Sequence, residues 1–196
     1  MKLKGWRSKY TVKKYRPSKG VNEATHENII QREFSVGQQR TAIVTDLTYV
    51  EVKGHWNYIC SMTDLSTRQI ISHSVGEKKD SLLVMRAISR MPMNLSDIDI
   101  FHSHRGKEFD NDLIDDCLAT FDIQRSLSNK GCPYDNAVAE ATFKSIKTEF
   151  IQGKKFSSLQ ELKSRFDQYV NWFNYTRLHS SLGYKTPMEY KNMLTL

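Results

Sequence analysis

Three places in this 196-residue chain put reactive side chains where chemistry can use them. Asp46 lies in T-D-L-T-Y, between Val44 and Leu47. A carboxylate inside an apolar strand is costly unless it is paired or bound to a metal ion. That position favours a functional role over a wetted strand end. The turn His102-Ser103-His104-Arg105-Gly106 follows the short apolar run Ile98–Phe101. Glu140 stands four residues before Lys144 and seven before Lys147, so the three share one helix face. Carboxylates drawn from such places bind divalent cations through oxygen. Two bound ions can activate a hydroxyl and stabilise the leaving oxygen of a phosphodiester.

Each feature has a plainer reading. Glu140 and Lys144 also describe a solvated i,i+4 pair worth about 0.2–0.5 kcal/mol. His102 and His104 form an H-x-H with no cysteine nearby, too little for a zinc site. Trp172, Phe173 and Tyr175 could offer a stacking platform, but aromatics at helical spacing are expected in the core.

The elements that must hold these residues can be read from periodicity. The stretch Lys130–Glu149 opens as a turn at Gly131 and Pro133, and Asp135-Asn136 is a helix N-cap signature. Ala139, Phe143, Ile146 and Phe150 then make one apolar stripe, opposite the Glu140–Lys147 face. Upstream, Thr41–Val52 reads as a buried strand, Lys53-Gly54 turns it into His55–Asp64, and Leu65–Thr67 turns that into Arg68–Val75. Two short turns imply an antiparallel meander. A helix over Asp80–Met91 is expected, capped by Asp80, with Leu82, Leu83, Ala87 and Met91 inward. A strand over Ile98–His102, a helix over Phe109–Phe121 with Leu113, Cys117 and Leu118 inward, and a strand over Ile123–Ser128 follow. After Gly153 comes a long helix from about Ser157 to Tyr175, then a tail from Arg177 to Leu196 with a short last helix. The order β-β-β-α-β-α-β-α-α describes an α/β, ribonuclease-H-like mixed five-stranded sheet, three antiparallel strands then parallel additions, flanked by helices.

The net charge of +7 is uneven. Residues 1–40 carry ten Lys/Arg against three Asp/Glu, and the remaining 19 basic and 19 acidic residues balance. Cations interleaved with aromatics in KLKGWRSKYTVKKYRPSK suit a nucleic-acid backbone, or else a solubilising tail. Residues 1–40 thus read as a basic arm or linker, with a possible short helix near Glu27–Phe34, and residues 41–196 as the globular core. Cys60, Cys117 and Cys132 are scattered, which suits a reducing cytosol. No apolar run reaches membrane-spanning length.

Four motifs in order, T-D-L-T-Y, H-S-x-R-G-x-E-F, K-G-C-P-Y-D-N-A-x-A-E-A-x-F-K-x-x-K-x-E-F and W-F-N-x-x-R-x-H-S-S-L-G-Y-x-T-P, resemble the integrase-like DDE transposases of bacterial insertion sequences. The resemblance runs from about residue 40 to the C-terminus, and implies that the basic arm is the end of a DNA-binding region truncated at its N-terminus. It implies a catalytic set at Asp46, position 104 and Glu140 around two Mg²⁺ (or Mn²⁺) ions. Thirty-five residues separate position 104 from Glu140, the family's spacing. Lys147 takes the place of the family's basic residue near the element end; Lys144, Arg105, Arg177 and His179 are further candidate DNA contacts. The implied partners are transposon ends and target DNA, with a homo-oligomer assembled on them and no membrane, in the bacterial cytoplasm at the nucleoid. One departure matters: the second Asp is His104, leaving Asp46 and Glu140 as the expected metal ligands. A charge lost about 4 Å from a cation is worth up to ~4 kcal/mol at an effective dielectric near 20, about a thousandfold in rate. The expected function is metal-dependent 3′-end cleavage and strand transfer, impaired by His104. The alternative is a DNA-binding, oligomerising remnant without catalysis, and a ribonuclease-H-type nuclease ranks behind both.

Overall fold

Five strands form one sheet in the order β3-β2-β1-β4-β5. This computed structural model describes residues 27–30, 40–129 and 136–194; most of the basic arm and the turn at Lys130–Asp135 lie outside them. Strands β1 (Ala42–Val52), β2 (His55–Asp64) and β3 (Ile70–Gly76) are the expected antiparallel meander. Lys53 and Gly54 both take positive φ, 49° and 79°, the two-residue turn whose twist matches a hairpin. Strands β4 (Ile100–Ser103) and β5 (Gln124–Leu127) add in parallel on the other side of β1. That makes β1 the central strand, which is why Ala42, Ile43, Val44 and Thr45 are buried on both faces. The fold is the ribonuclease-H-like arrangement the element order predicts.

Helices cover both faces. Helix α1 (Ser81–Ile88) starts where Asp80 accepts from the Leu83 amide at 2.9 Å, and stops short of Met91. It buries Leu83, Val84, Ala87 and Ile88, while Leu82 faces water. Helix α2 (Asp112–Thr120) begins three residues later than expected, because Asn111 caps it by accepting from the Ile114 amide. Its inward residues are therefore Ile114 and Leu118; Leu113 is exposed and Cys117 half-buried. These two helices pack with Ile43, Met62 and Phe101 on one face of the sheet. Glu27–Ile30 is not helical: it lies beside β5, with the Leu127 amide donating to the Glu27 carbonyl at 3.2 Å.

On the other face lie α3 (Ala137–Ser145), its π-helical continuation Ile146–Ile151, and α4 (Leu159–Tyr175). The stripe Ala139, Phe143, Ile146 and Phe150 is buried throughout. Phe143, Ile146 and Phe150 meet Phe166, Tyr169 and Phe173 of α4 over Val50, Ile59 and Val75. Ser158 caps α4 by accepting from the Glu161 amide, and the Glu161 carboxylate accepts from the Ser157 amide. Phe173 is core as expected, but its neighbours are not: Trp172 is 42% and Tyr175 60% exposed, because the helix turns both past the sheet. Helix α5 (Pro187–Leu194) closes the described chain, with proline at its first position.

One polar contact fastens α4 to the sheet edge. Asn174 accepts from the Ile70 amide at 3.0 Å and donates to the Ile70 carbonyl at 2.9 Å, so its amide stands in for a neighbouring strand. Asn174→Leu would strand both backbone groups in a buried place. We expect it to cost about 2–4 kcal/mol in urea unfolding, with Asn174→Asp, which keeps the acceptor, losing less.

Candidate active site

The parallel register of β1 with β4 dictates the first contact. Val44 pairs with His102, so two residues further along each strand Asp46 comes level with His104. The His104 Nδ1 is 3.2 Å from Asp46 Oδ1, and that oxygen also accepts from the Leu47 amide at 2.7 Å. The other ring nitrogen, Nε2, is 3.3 Å from Glu108 Oε1, which lies 3.0 Å from Lys79 Nζ. A row of alternating charge results: Asp46, His104, Glu108, Lys79. The loop can curl this tightly because position 106 is glycine. A Cβ there would stand 2.5 Å from His104 Nε2 and 2.4 Å from Glu108 Oε1.

Burial alone would lower the His104 pKa, but the carboxylates of Asp46 and Glu108 outweigh it and lift the imidazole to about 9. Burial likewise works to raise Glu108, yet His104, its own backbone amide and Lys79 hold it at about 2. At neutral pH His104 is therefore an imidazolium between two carboxylates.

Glu140 reaches the same place from the other face. Asn136, expected as a helix cap, makes no capping bond. Its Nδ2 instead donates to the Thr45 carbonyl at 3.3 Å, pinning the start of α3 to β1 one residue before Asp46. Ala139 packs with Ala42 and Val44, so a helix side chain no larger than a methyl lets α3 lie close on β1. One residue on, Glu140 shares an open cleft with Asp46, Lys144, Lys147 and Thr148. Burial and the charge of Asp46 raise the Glu140 pKa, and Lys147 opposes them.

The remaining residues singled out by sequence are engaged elsewhere. Arg105 Nε donates to the Ser128 carbonyl at 3.1 Å, tying the loop to the end of β5. The Arg177 guanidinium grips both oxygens of Glu149 at 2.8–2.9 Å, donates to Ser145 Oγ at 3.1 Å, and lies 5.3 Å over the Phe173 ring. Glu149 also accepts from the Tyr169 hydroxyl at 2.9 Å. Next to it, burial and the Arg177 charge push the His179 pKa down to about 4. His102 is fully buried, with its two nitrogens on Ser126 and Ser128 hydroxyls at 2.8 and 3.1 Å. It is thus turned away from His104, which disposes of H-x-H as a ligand pair.

These side chains do not fit a two-metal site. Among the described residues no three His, Cys, Asp or Glu side chains are grouped to hold an ion. The slot between Asp46 and Glu108 holds a histidine ring instead of a third carboxylate, so the cleft keeps only Asp46 and Glu140 among the described residues as hard oxygen ligands.

Comparison with known proteins gives the family. Two family models, both described as "Integrase core domain", match residues 38–133 and 140–195. The chain belongs to the integrase core family. Its relatives include InsK of insertion sequence element IS150 from Escherichia coli K12, 31% identical over 92% of this chain and 65% of that protein. Transposase InsF for insertion sequence IS3A from the same organism is 28% identical over 85% of this chain and 59% of that one. The chain thus spans less than two thirds of either. The solved integrase catalytic core of HTLV-2, in complex with magnesium, superposes with a TM-score of 0.58 over 77% of this chain and 95% of that chain at 14% identity. That of BIV integrase does so at 0.56, over 79% and 95%, with 16% identity. At such identities these two show the fold.

Sequence reading missed the parts that Glu108, Lys79 and Asn136 play in this integrase core. Glu108 was visible as the E of H-S-x-R-G-x-E-F, but only the curled loop turns it onto His104. Gly106→Ala should push the two apart and lower stability at neutral pH, since it separates His104 from a buried carboxylate. NMR titration should then find the His104 pKa well below about 9, toward its ordinary 6.5. The Arg177 cluster predicts acid sensitivity. The His179 pKa lies below its ordinary value, so the unfolded chain binds more protons between about 4 and 6.5 and stability falls with pH across that window. Glu149, held low by Arg177 and Tyr169 against the effect of burial, acts in the same direction below the ordinary carboxylate range. Discounting for a half-exposed ring, the parent should lose about 1 kcal/mol more than His179→Asn between pH 7 and pH 5 in urea unfolding.

Proposed function

We propose that this integrase core serves an insertion-sequence transposase, binding the ends of a mobile element and target DNA, with cleavage and strand transfer crippled at His104. One observation carries the reading: Asp46 and Glu140 face one cleft with Lys144 and Lys147, while the His104 ring lies 3.2 Å from Asp46. Lys144 and Lys147 supply phosphate contacts; such contacts fix the position of DNA without reading its sequence, and their strength falls steeply with salt. The reaction of the lineage is in-line transesterification. A 3′-hydroxyl attacks a target phosphodiester, a new P–O bond forms, and the displaced 3′-oxygen leaves as a hydroxyl. Divalent-metal dependence would return with a carboxylate at position 104.

The second reading, a protein that binds DNA and self-associates without catalysis, is favoured by the Asp46–His104–Glu108 row itself. An apo site balanced by its own imidazolium is stable without metal, whereas three bare carboxylates repel one another. The two readings separate on His104→Asp. We expect this variant to melt lower than the parent in EDTA and to recover in Mg²⁺, while the parent melts alike in both. On labelled element ends with Mg²⁺ or Mn²⁺, the variant should join strands about a thousandfold faster than the parent. Joining by the parent at the variant's rate would overturn the impairment. Equal silence from both, with DNA still bound, would favour the binding role.

A further inference from the structure

The opposite flank of α3 carries a second cleft of about 490 Å³, between the helix and the segment Arg177–Tyr184. We infer that this cleft is a phosphate-binding site for a DNA strand that crosses α3, with Arg68 as its cation. The inference rests on the DNA-binding reading above and names a residue outside it.

The turn geometry does not ask for an arginine at position 68, although Lys53, Asp122 and Tyr184 also take positive φ. Arg68 ends the β2–β3 turn at φ 61°, in the left-handed region where glycine or asparagine is at ease and a long side chain is strained. Turns of this kind place glycine at that position. The turn itself does not need the arginine side chain. Asp64 builds it by accepting from the Ser66 and Thr67 amides at 2.7 and 3.3 Å, and the Arg68 amide donates to the Asp64 carbonyl at 2.9 Å.

The guanidinium is favoured only through space among the described residues, by Asp64 and Tyr190. Among the described residues it makes no hydrogen bond and no ion pair, and its Nη1 is buried without a partner. The Asp64 carboxylate acts on it only through space, its Oδ1 being committed to the turn amides and the Ser66 hydroxyl. An always-charged group with five donors, partly buried and unpaired, is costly, and such costs gather where a ligand repays them. The neighbouring Arg177 is the contrast, since Glu149 neutralises it. The remaining lining includes the hydroxyls of Ser145, Ser181 and Tyr184, which can donate to a phosphate oxygen, while the Thr142 hydroxyl is given to the Val138 carbonyl.

The occupant follows from what lies across the helix. Ala137 and Ala141 line both this cleft and the one holding Lys144 and Lys147. At the two positions that the clefts share, the side chains are methyls. A single phosphate would use one cleft; a polynucleotide backbone can use both.

Arg68→Gly tests the inference, because it removes the cation and relieves the turn together. Binding of a fluorescein-labelled DNA duplex is followed by anisotropy from about 50 to about 200 mM NaCl, beside thermal melts. The expected result is binding weakened several-fold, the slope of log K against log salt reduced by about one, and a Tm equal to or above the parent's. Arg68→Lys should keep the slope, and Ala141→Trp should weaken binding while Arg68 is intact. An unchanged affinity and slope in Arg68→Gly, or affinity lost only together with Tm, overturns the site while leaving the lysine cleft standing. Failure of the parent itself to bind the duplex overturns the DNA reading, and this site with it.

Discussion

The parallel pairing of β1 with β4 is the constraint on which the site depends. It makes β1 central and buries it on both faces. It also brings the end of β4 level with the middle of β1, so that position 104 comes beside Asp46. The third element, α3, is then held to the same strand by Asn136 on the Thr45 carbonyl and by Ala139 against Ala42 and Val44. Every residue of the candidate site is thus referenced to β1. A slip of one residue in the β1–β4 register would turn Asp46 and His104 to opposite faces of the sheet.

What occupies position 104 changes the chemistry without disturbing that frame. A carboxylate there would gather three negative charges that only cations can reconcile. Histidine reconciles them internally: its ring bridges Asp46 and Glu108, and both carboxylates hold it protonated. The fold consequently keeps an integrase core's architecture around a site that balances its own charge. The same economy governs the tail, where Arg177 is spent on Glu149, Tyr169 meets the same carboxylate, and the C-terminal segment is clamped to the helix that carries Glu140.

Much of this was legible in the sequence because it depends on local periodicity. The stripe Ala139, Phe143, Ile146, Phe150 declared the buried face of α3, and hence the exposed face with Glu140, Lys144 and Lys147. Strand composition and short turns declared the meander, and the order of elements declared the mixed sheet. Errors fell where capping competed with pattern. Asn111 rather than Phe109 starts α2, which turns Leu113 out and Ile114 in, and Trp172 and Tyr175 follow the helical period yet run past the sheet they were expected to cover.

The sequence by itself determined the fold class and the family, since both reside in residue types and their spacing along the chain. Tertiary structure alone decided which charges meet. Glu108 is four residues from His104 and Lys79 is 29 residues from Glu108, yet a loop curled over Gly106 makes them one row. Arg177 and Arg68 look alike as cations in a sequence, but among the described residues the fold pairs one with a carboxylate and leaves the Nη1 of the other without a hydrogen-bond partner. Pairing across the fold is a matter of distance, at which electrostatic energies change within a few ångströms, and distance is what a linear sequence does not carry.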